Sequence, residues 1–248
     1  MADAPPLVLY RFPPAFGLPI SESPPAAKVA LYLRLTKTPH TLAVGSTLSS
    51  PNGMVPYVRW PDGRLQAESG DIIADLEVRC GLDRGVAPAA LDRGRRLAEQ
   101  VELTCYDACL HDRFTLADGW RVQKPVTAAY VAHLLPSVLV PLALPWVRWK
   151  QMRRAARQTM ADPAAGHAAS IAVIESISAC LRDQSFVCGD RPSTVDCAIW
   201  PNLLHVAATC NPTPPREAVR SSRLLVDWIE RLAGLADYTL GQAWKGRS

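Results

Sequence analysis

A small α/β domain followed by an all-helical domain is the architecture predicted by this 248-residue chain. Three observations predict it. Short apolar runs alternate with helical patterns through residues 1–82. A proline-led strand and a Pro61-Asp62-Gly63 turn then make a hairpin. From residue 90 onward the hydrophobic period is helical almost to the C-terminus, after a linker at 81–90 containing Gly, Pro and Asp. The composition, 48% hydrophobic and 20% charged, is that of a globular chain long enough to bury a full core.

The elements follow in order. Leu7 to Phe12 is a first strand, ended by Pro13-Pro14. Residues 13–25 hold five prolines and one glycine, so they form a loop. Ser23-Pro24-Pro25 opens a helix, with serine as N-cap and a proline where the missing N–H is harmless. It runs from Ala26 to Thr36 and Pro39 stops it; His40 to Val44 is the second strand. Residues 56–60 and 64–67 pair across the turn, and a helix over 69–79 ends at Cys80-Gly81. This order predicts a thioredoxin-like domain. Further helices are expected over 91–116, 126–143, 146–160, 166–183, 194–209 and 221–233. Ser193 and Asp196 have capping-box spacing at the start of the fifth of these.

Several classes of function are excluded. A net charge of +4 and a pI near 8.7, without clustering on one face, do not support nucleic-acid binding. Seven cysteines, odd in number and without C-x-x-C, read as buried reduced thiols. Cys105, Cys109 and His111 lack metal partners in the local sequence, so no metal site is expected. The first six residues have neither a basic nor an apolar signal region. Val131 to Val147 is apolar and precedes Arg148, Lys150, Arg153, Arg154 and Arg157, but prolines at 136, 141 and 145 cut it too short to span a bilayer. It is expected to be a buried helical hairpin.

Val55-Pro56, Glu68-Ser69 and the Gly189-Asp190…Ser193-x-x-Asp196 box fall in an order that resembles the glutathione S-transferase family across nearly the whole chain. The segment Ser23-Pro24-Pro25-Ala26-Ala27-Lys28-Val29 is similar to the branch grouped with the failed-axon-connections and metaxin proteins. The resemblance implies a glutathione transferase fold, with domains at 1–82 and 90–248, and glutathione as co-substrate. Val55 would offer its main chain, before a cis Pro56, to the cysteinyl unit. Glu68 and Ser69 would take the γ-glutamyl head. Ser23 is the preferred hydroxyl donor to the sulfur and Ser21 the second, since only the thiolate attacks. A helix N-terminus would add positive potential. The competing use of Ser23 is a plain N-cap.

Ala26 stands where these relatives often carry cysteine, which argues against a thiol–disulfide mechanism. Tyr10 is expected in the core. Arg11 and Lys28 could meet the glycyl carboxylate, with surface solvation the default. Trp120, Trp146, Trp149 and Trp200 have two uses, an electrophile pocket or core packing. The basic run is by default a solvated face, with an acidic-substrate wall or headgroup contact as alternatives. The expected protein is a cytoplasmic homodimer joining glutathione to a small hydrophobic electrophile, without nucleic acid or membrane contact. The rival is a non-catalytic adaptor of the same fold. A third, weaker reading is a membrane-associated import component.

Overall fold

The computed structural model describes residues 6–156, 159–241 and 244. Arg157, the first five residues and most of the tail after 241 therefore lie outside the description. The first half holds β1 (Leu7–Arg11), α1 (Pro24–Leu35), β2 (His40–Val44), β3 (Tyr57–Arg59), β4 (Leu65–Ala67) and α2 (Ser69–Cys80). The sheet order is β2-β1-β3-β4. β1 runs parallel to β2 and antiparallel to β3, and β3 pairs antiparallel with β4.

This topology fixes where a site can form. Tyr10 pairs with Tyr57, and Tyr57 with Ala67. The C-terminal end of β1, the N-terminal end of β3 and the C-terminal end of β4 therefore meet at one edge. The segments that continue from those ends are the loop to Ser23, Val55-Pro56 and Glu68-Ser69. The Val55-Pro56 bond is cis. Leu9 and Val58 are fully buried beneath α1 side chains such as Val29 and Leu33. Gly81 closes α2 at φ 66°, the left-handed conformation that favours glycine there.

The helical half comprises α3 (Pro88–Phe114), α4 (Ala117–Leu134), α5 (Val140–Ala156), α6 (Pro163–Cys180), α7 (Thr194–Ala207), α8 (Pro214–Ser221) and α9 (Arg223–Leu235). The two halves share one core, in which Val101, Cys105, Trp200 and Trp228 pack with side chains of α1 and α2. Asp83 in the connection accepts from the N–H and hydroxyl of Thr194, both at 2.7 Å. The capping box at Ser193 and Asp196 is present.

Two expectations for this half need correction. The break placed between 143 and 146 lies inside α5, and the chain turns at Leu135–Leu139 instead. Pro145 sits four residues after Pro141, so its absent N–H removes a bond to the Pro141 carbonyl at the helix start. Both rings line one open groove between α4 and α5. The hairpin is also not buried. Val138 is 77% and Leu142 76% exposed, and Trp146 and Trp149 are more than half exposed. α8 lies between the helices expected over 194–209 and 221–233; Pro214-Pro215 starts it. Among the described residues no helix is long and apolar enough to cross a membrane.

Candidate functional site

The loop from Phe12 to Ser23 folds back on itself. Pro14 bridges to Ser21, and Glu22 N–H donates to the Pro13 carbonyl at 3.0 Å. Ser21 is 1% exposed and its Oγ accepts the Ser23 N–H at 3.2 Å. The second-choice hydroxyl thus serves the loop itself. Ser23 is the N-cap residue of α1 by backbone angle, yet its side chain makes no capping bond. The reason lies in the next two residues. Pro24 and Pro25 have no N–H, and the Ala26 N–H bonds to the Ser23 carbonyl at 3.1 Å. The Ser23 hydroxyl is left without a capping partner, and the residue borders the cleft between the halves.

The same two prolines weaken a second expectation. A helix N-terminus holds anions mainly through free N–H groups. The first turn of α1 has none to spare. Ala26 is fully buried there.

A cavity of about 90 Å³ adjoins Ser23, lined by Phe12, Glu22, Tyr106, Arg113, Phe114 and Gln151 among others. Glu22 was not singled out by sequence reasoning; its only signal is its place before Ser23. Its carboxylate accepts from Gln123 Nε2 at 2.5 Å, which ties α4 to the loop. Burial pushes the Glu22 carboxyl up, against the hydrogen bond from Gln123 and the charge of Arg113. A carboxyl in that setting can hold a proton within the cavity.

On the opposite wall, Val55 N–H and C=O take no partner among the described residues. Glu68 is exposed and adopts φ 67°, ψ 113°, a region costly for a residue with a side chain. That geometry is invisible in the sequence. Glu68 Oε1 accepts from Asn52 Nδ2 at 2.6 Å, so the loop before Val55 is tied to the same residue. Ser69 is half-buried, and with Gly70 it presents unpaired N–H groups at the start of α2. The structure therefore brings Val55, Pro56, Glu68 and Ser69 to the edge that Ser23 shares.

Other expectations divide. Lys28 is 2.7 Å from Glu102 rather than free. Arg11 donates to the Phe12 carbonyl at 3.0 Å and is half-buried. Tyr10 is half-buried and stacks on Tyr57 at 4.5 Å. Trp200 is core, donating to the Ile229 carbonyl at 3.0 Å. Trp120 and Trp149 line a groove of about 900 Å³ between α4 and α5, to which none of Ser23, Val55, Pro56, Glu68 and Ser69 contributes. All seven cysteines are free. Burial raises the thiols of Cys105 and Cys109 to about 12 and about 11, so neither is a reactive thiolate. His111, which has no metal partner nearby in the chain apart from its neighbour Asp112, gains His167 from α6.

Comparison with known proteins decides the family. Residues 24–119 match the glutathione S-transferase N-terminal domain, and residues 171–232 match the glutathione S-transferase C-terminal domain. The chain belongs to the glutathione S-transferase family. A similar curated relative is isoprene-epoxide–glutathione S-transferase of Rhodococcus sp. (strain AD45), 25% identical over 241 residues, covering 91% of this chain and 97% of the relative. A beta-etherase from Sphingobium sp. strain SYK-6 has a TM-score of 0.61 at 17% identity, covering 97% of both chains. A glutathione S-transferase of Methylobacterium radiotolerans, solved in complex with glutathione sulfonate, has a TM-score of 0.56 at 17% identity, covering 98% of this chain and 94% of that one. These two likenesses show the glutathione transferase fold.

Proposed function

We propose that this glutathione S-transferase binds glutathione along the Val55, Pro56, Glu68 and Ser69 edge and joins its thiolate to a small electrophile. The observation that carries the reading is Ser23, which borders the cleft cavity and whose hydroxyl makes no capping bond because two prolines remove its capping partners. The γ-glutamyl carboxylate would meet the N–H groups of Ser69 and Gly70, and its ammonium the carboxylate of Glu68. Val55 would add the cysteinyl unit as an extra strand. Ser23 would donate to the sulfur and hold it as thiolate, which attacks the electrophile to form a thioether. Residues 1–82 would supply the glutathione side and residues 90–248 the electrophile side.

The cleft cavity beside Ser23 is well below the roughly 300–1,000 Å³ of sites for drug-sized ligands, which supports a compact electrophile. A small epoxide is one such class, and the Rhodococcus relative is named for one. Glu22 would protonate the alkoxide released by ring opening. Seven free cysteines support a reducing, cytoplasmic location. We also propose assembly as a homodimer through the helical half. Placement in the failed-axon-connections and metaxin branch rests on Tyr10-Arg11-Phe12-Pro13 with the Ser23–Val29 segment, and on Arg148-Trp149-Lys150 through Gly166-His167 and the Phe186 box in the helical half.

The non-catalytic adaptor stays as a second reading because a groove of about 900 Å³ lies on the α4–α5 hairpin, away from Ser23. The two part on an adduct assay. Purified protein with glutathione and a generic aryl halide or small epoxide should yield the thioether by mass spectrometry above the uncatalysed rate. No gain over that rate with any of them favours the adaptor.

A further inference from the structure

The last turn of α3 and the first turns of α6 bring three metal-ligand side chains to one point. His111 Nδ1 stands 3.2 Å and His167 Nε2 3.1 Å from the same atom, Asp112 Oδ1. One ligand atom of each residue lies within 4.8 Å of the others. We propose that His111, Asp112 and His167 form a binding site for a divalent transition-metal ion of the zinc type, with water completing the shell.

The spacing fits the chemistry. Ligand atoms about 2.0–2.1 Å from a tetrahedral zinc stand roughly 3.3 Å from one another, close to both separations measured here. Two imidazoles and a carboxylate suit zinc and its late first-row neighbours, and not magnesium or calcium.

Access and rigidity also fit. The Asp112 side chain is 3% exposed, whereas those of His111 and His167 keep 12% and 14%. An ion can therefore enter between the rings, which stand at 80° with centroids 6.1 Å apart. Asn211 Nδ2 holds the Asp112 carbonyl at 3.3 Å, steadying the backbone beneath the ligands. Without an ion each ring N–H donates to Oδ1. On binding, that proton passes through solvent to the other ring nitrogen, so two neutral imidazoles become ligands with no net proton lost. The ion would clamp α3 to α6 one residue from Arg113. The site shares no ligand with the proposed glutathione edge and does not depend on the reaction.

The test uses tag-free, metal-stripped full-length protein near neutral pH. Titration with zinc chloride should show one equivalent bound per chain and a melting temperature that climbs with zinc. Cobalt chloride should give visible d–d bands without thiolate charge transfer, which separates this ligand set from the cysteines. His167→Gln and His111→Gln should each weaken zinc binding at least ~100-fold. Zinc that fails to bind stoichiometrically, a thiolate band, or variants with wild-type affinity would overturn the site. The wild-type cobalt spectrum decides the ligand set even if a variant fails to fold.

Discussion

Arg113 Nη2 donates to His205 Nδ1 at 2.8 Å, and this bond fixes the tautomer of a fully buried imidazole. The remaining N–H, on Nε2, donates to the Ser21 carbonyl at 2.9 Å. Arg113 also lies over the Phe16 ring at 4.0 Å. The loop that presents Ser23 is thereby fastened to α3 and α7.

His205→Leu should cost about 2–4 kcal/mol of folding stability at neutral pH, because it strands two buried partners. The pH dependence has a definite sign. Burial first, then the neighbouring Arg113 charge, hold the His205 pKa well below 6.5. The unfolded chain takes up a proton near pH 6.5 that the native state refuses, so this contribution is present above that pH and lost as pH falls below it. The slope approaches about 1.4 kcal/mol per pH unit for one proton. Denaturant titrations of wild type and variant should converge toward acid; parallel curves would contradict the assignment.

Asp196 gathers four donors. Oδ1 accepts from Val187 N–H and Trp228 Nε1–H, both at 3.0 Å, and Oδ2 from the Ser193 N–H at 2.9 Å and hydroxyl at 2.8 Å. Asp196→Ala should destabilise by roughly 3–5 kcal/mol, since all four donors lose a buried partner. Equilibrium unfolding followed by tryptophan fluorescence measures it. A loss within experimental error of zero would mean that water replaces the carboxylate.

Ser23→Ala should lower turnover about 10- to 100-fold with glutathione affinity nearly unchanged, the worth of one hydrogen bond to a charged group. The rising limb of the pH–rate profile should move upward by about one unit, because Pro24 and Pro25 leave no N–H to substitute. An unmoved profile would assign thiolate stabilisation to another group.

The two halves of the chain were unequally legible as sequence. Local chemistry was readable: the Leu7–Arg11 strand, the Pro61-Asp62-Gly63 turn and the Ser193–Asp196 box depend on neighbours within a few residues. The α5 start was misplaced because Pro145 normally interrupts a helix, and nothing local says that its ring faces an open groove. The bond from His205 to Ser21 spans 184 positions, and His167 meets Asp112 across 55, so no local pattern announces either. The positive φ of Glu68, between β4 and α2, shows only in the folded chain.

Glutathione binding at the Val55 to Ser69 edge is the claim on which the rest stands, and a thermal titration tests it directly. A ligand selective for the native state stabilises it by about 2.7 kcal/mol at a hundredfold excess over its dissociation constant. Millimolar glutathione should therefore raise the melting temperature by several degrees, and Glu68→Gln, which removes the charge facing the ligand ammonium, should remove part of the rise while leaving the ligand-free melting temperature nearly unchanged. A melting temperature indifferent to millimolar glutathione would contradict the account.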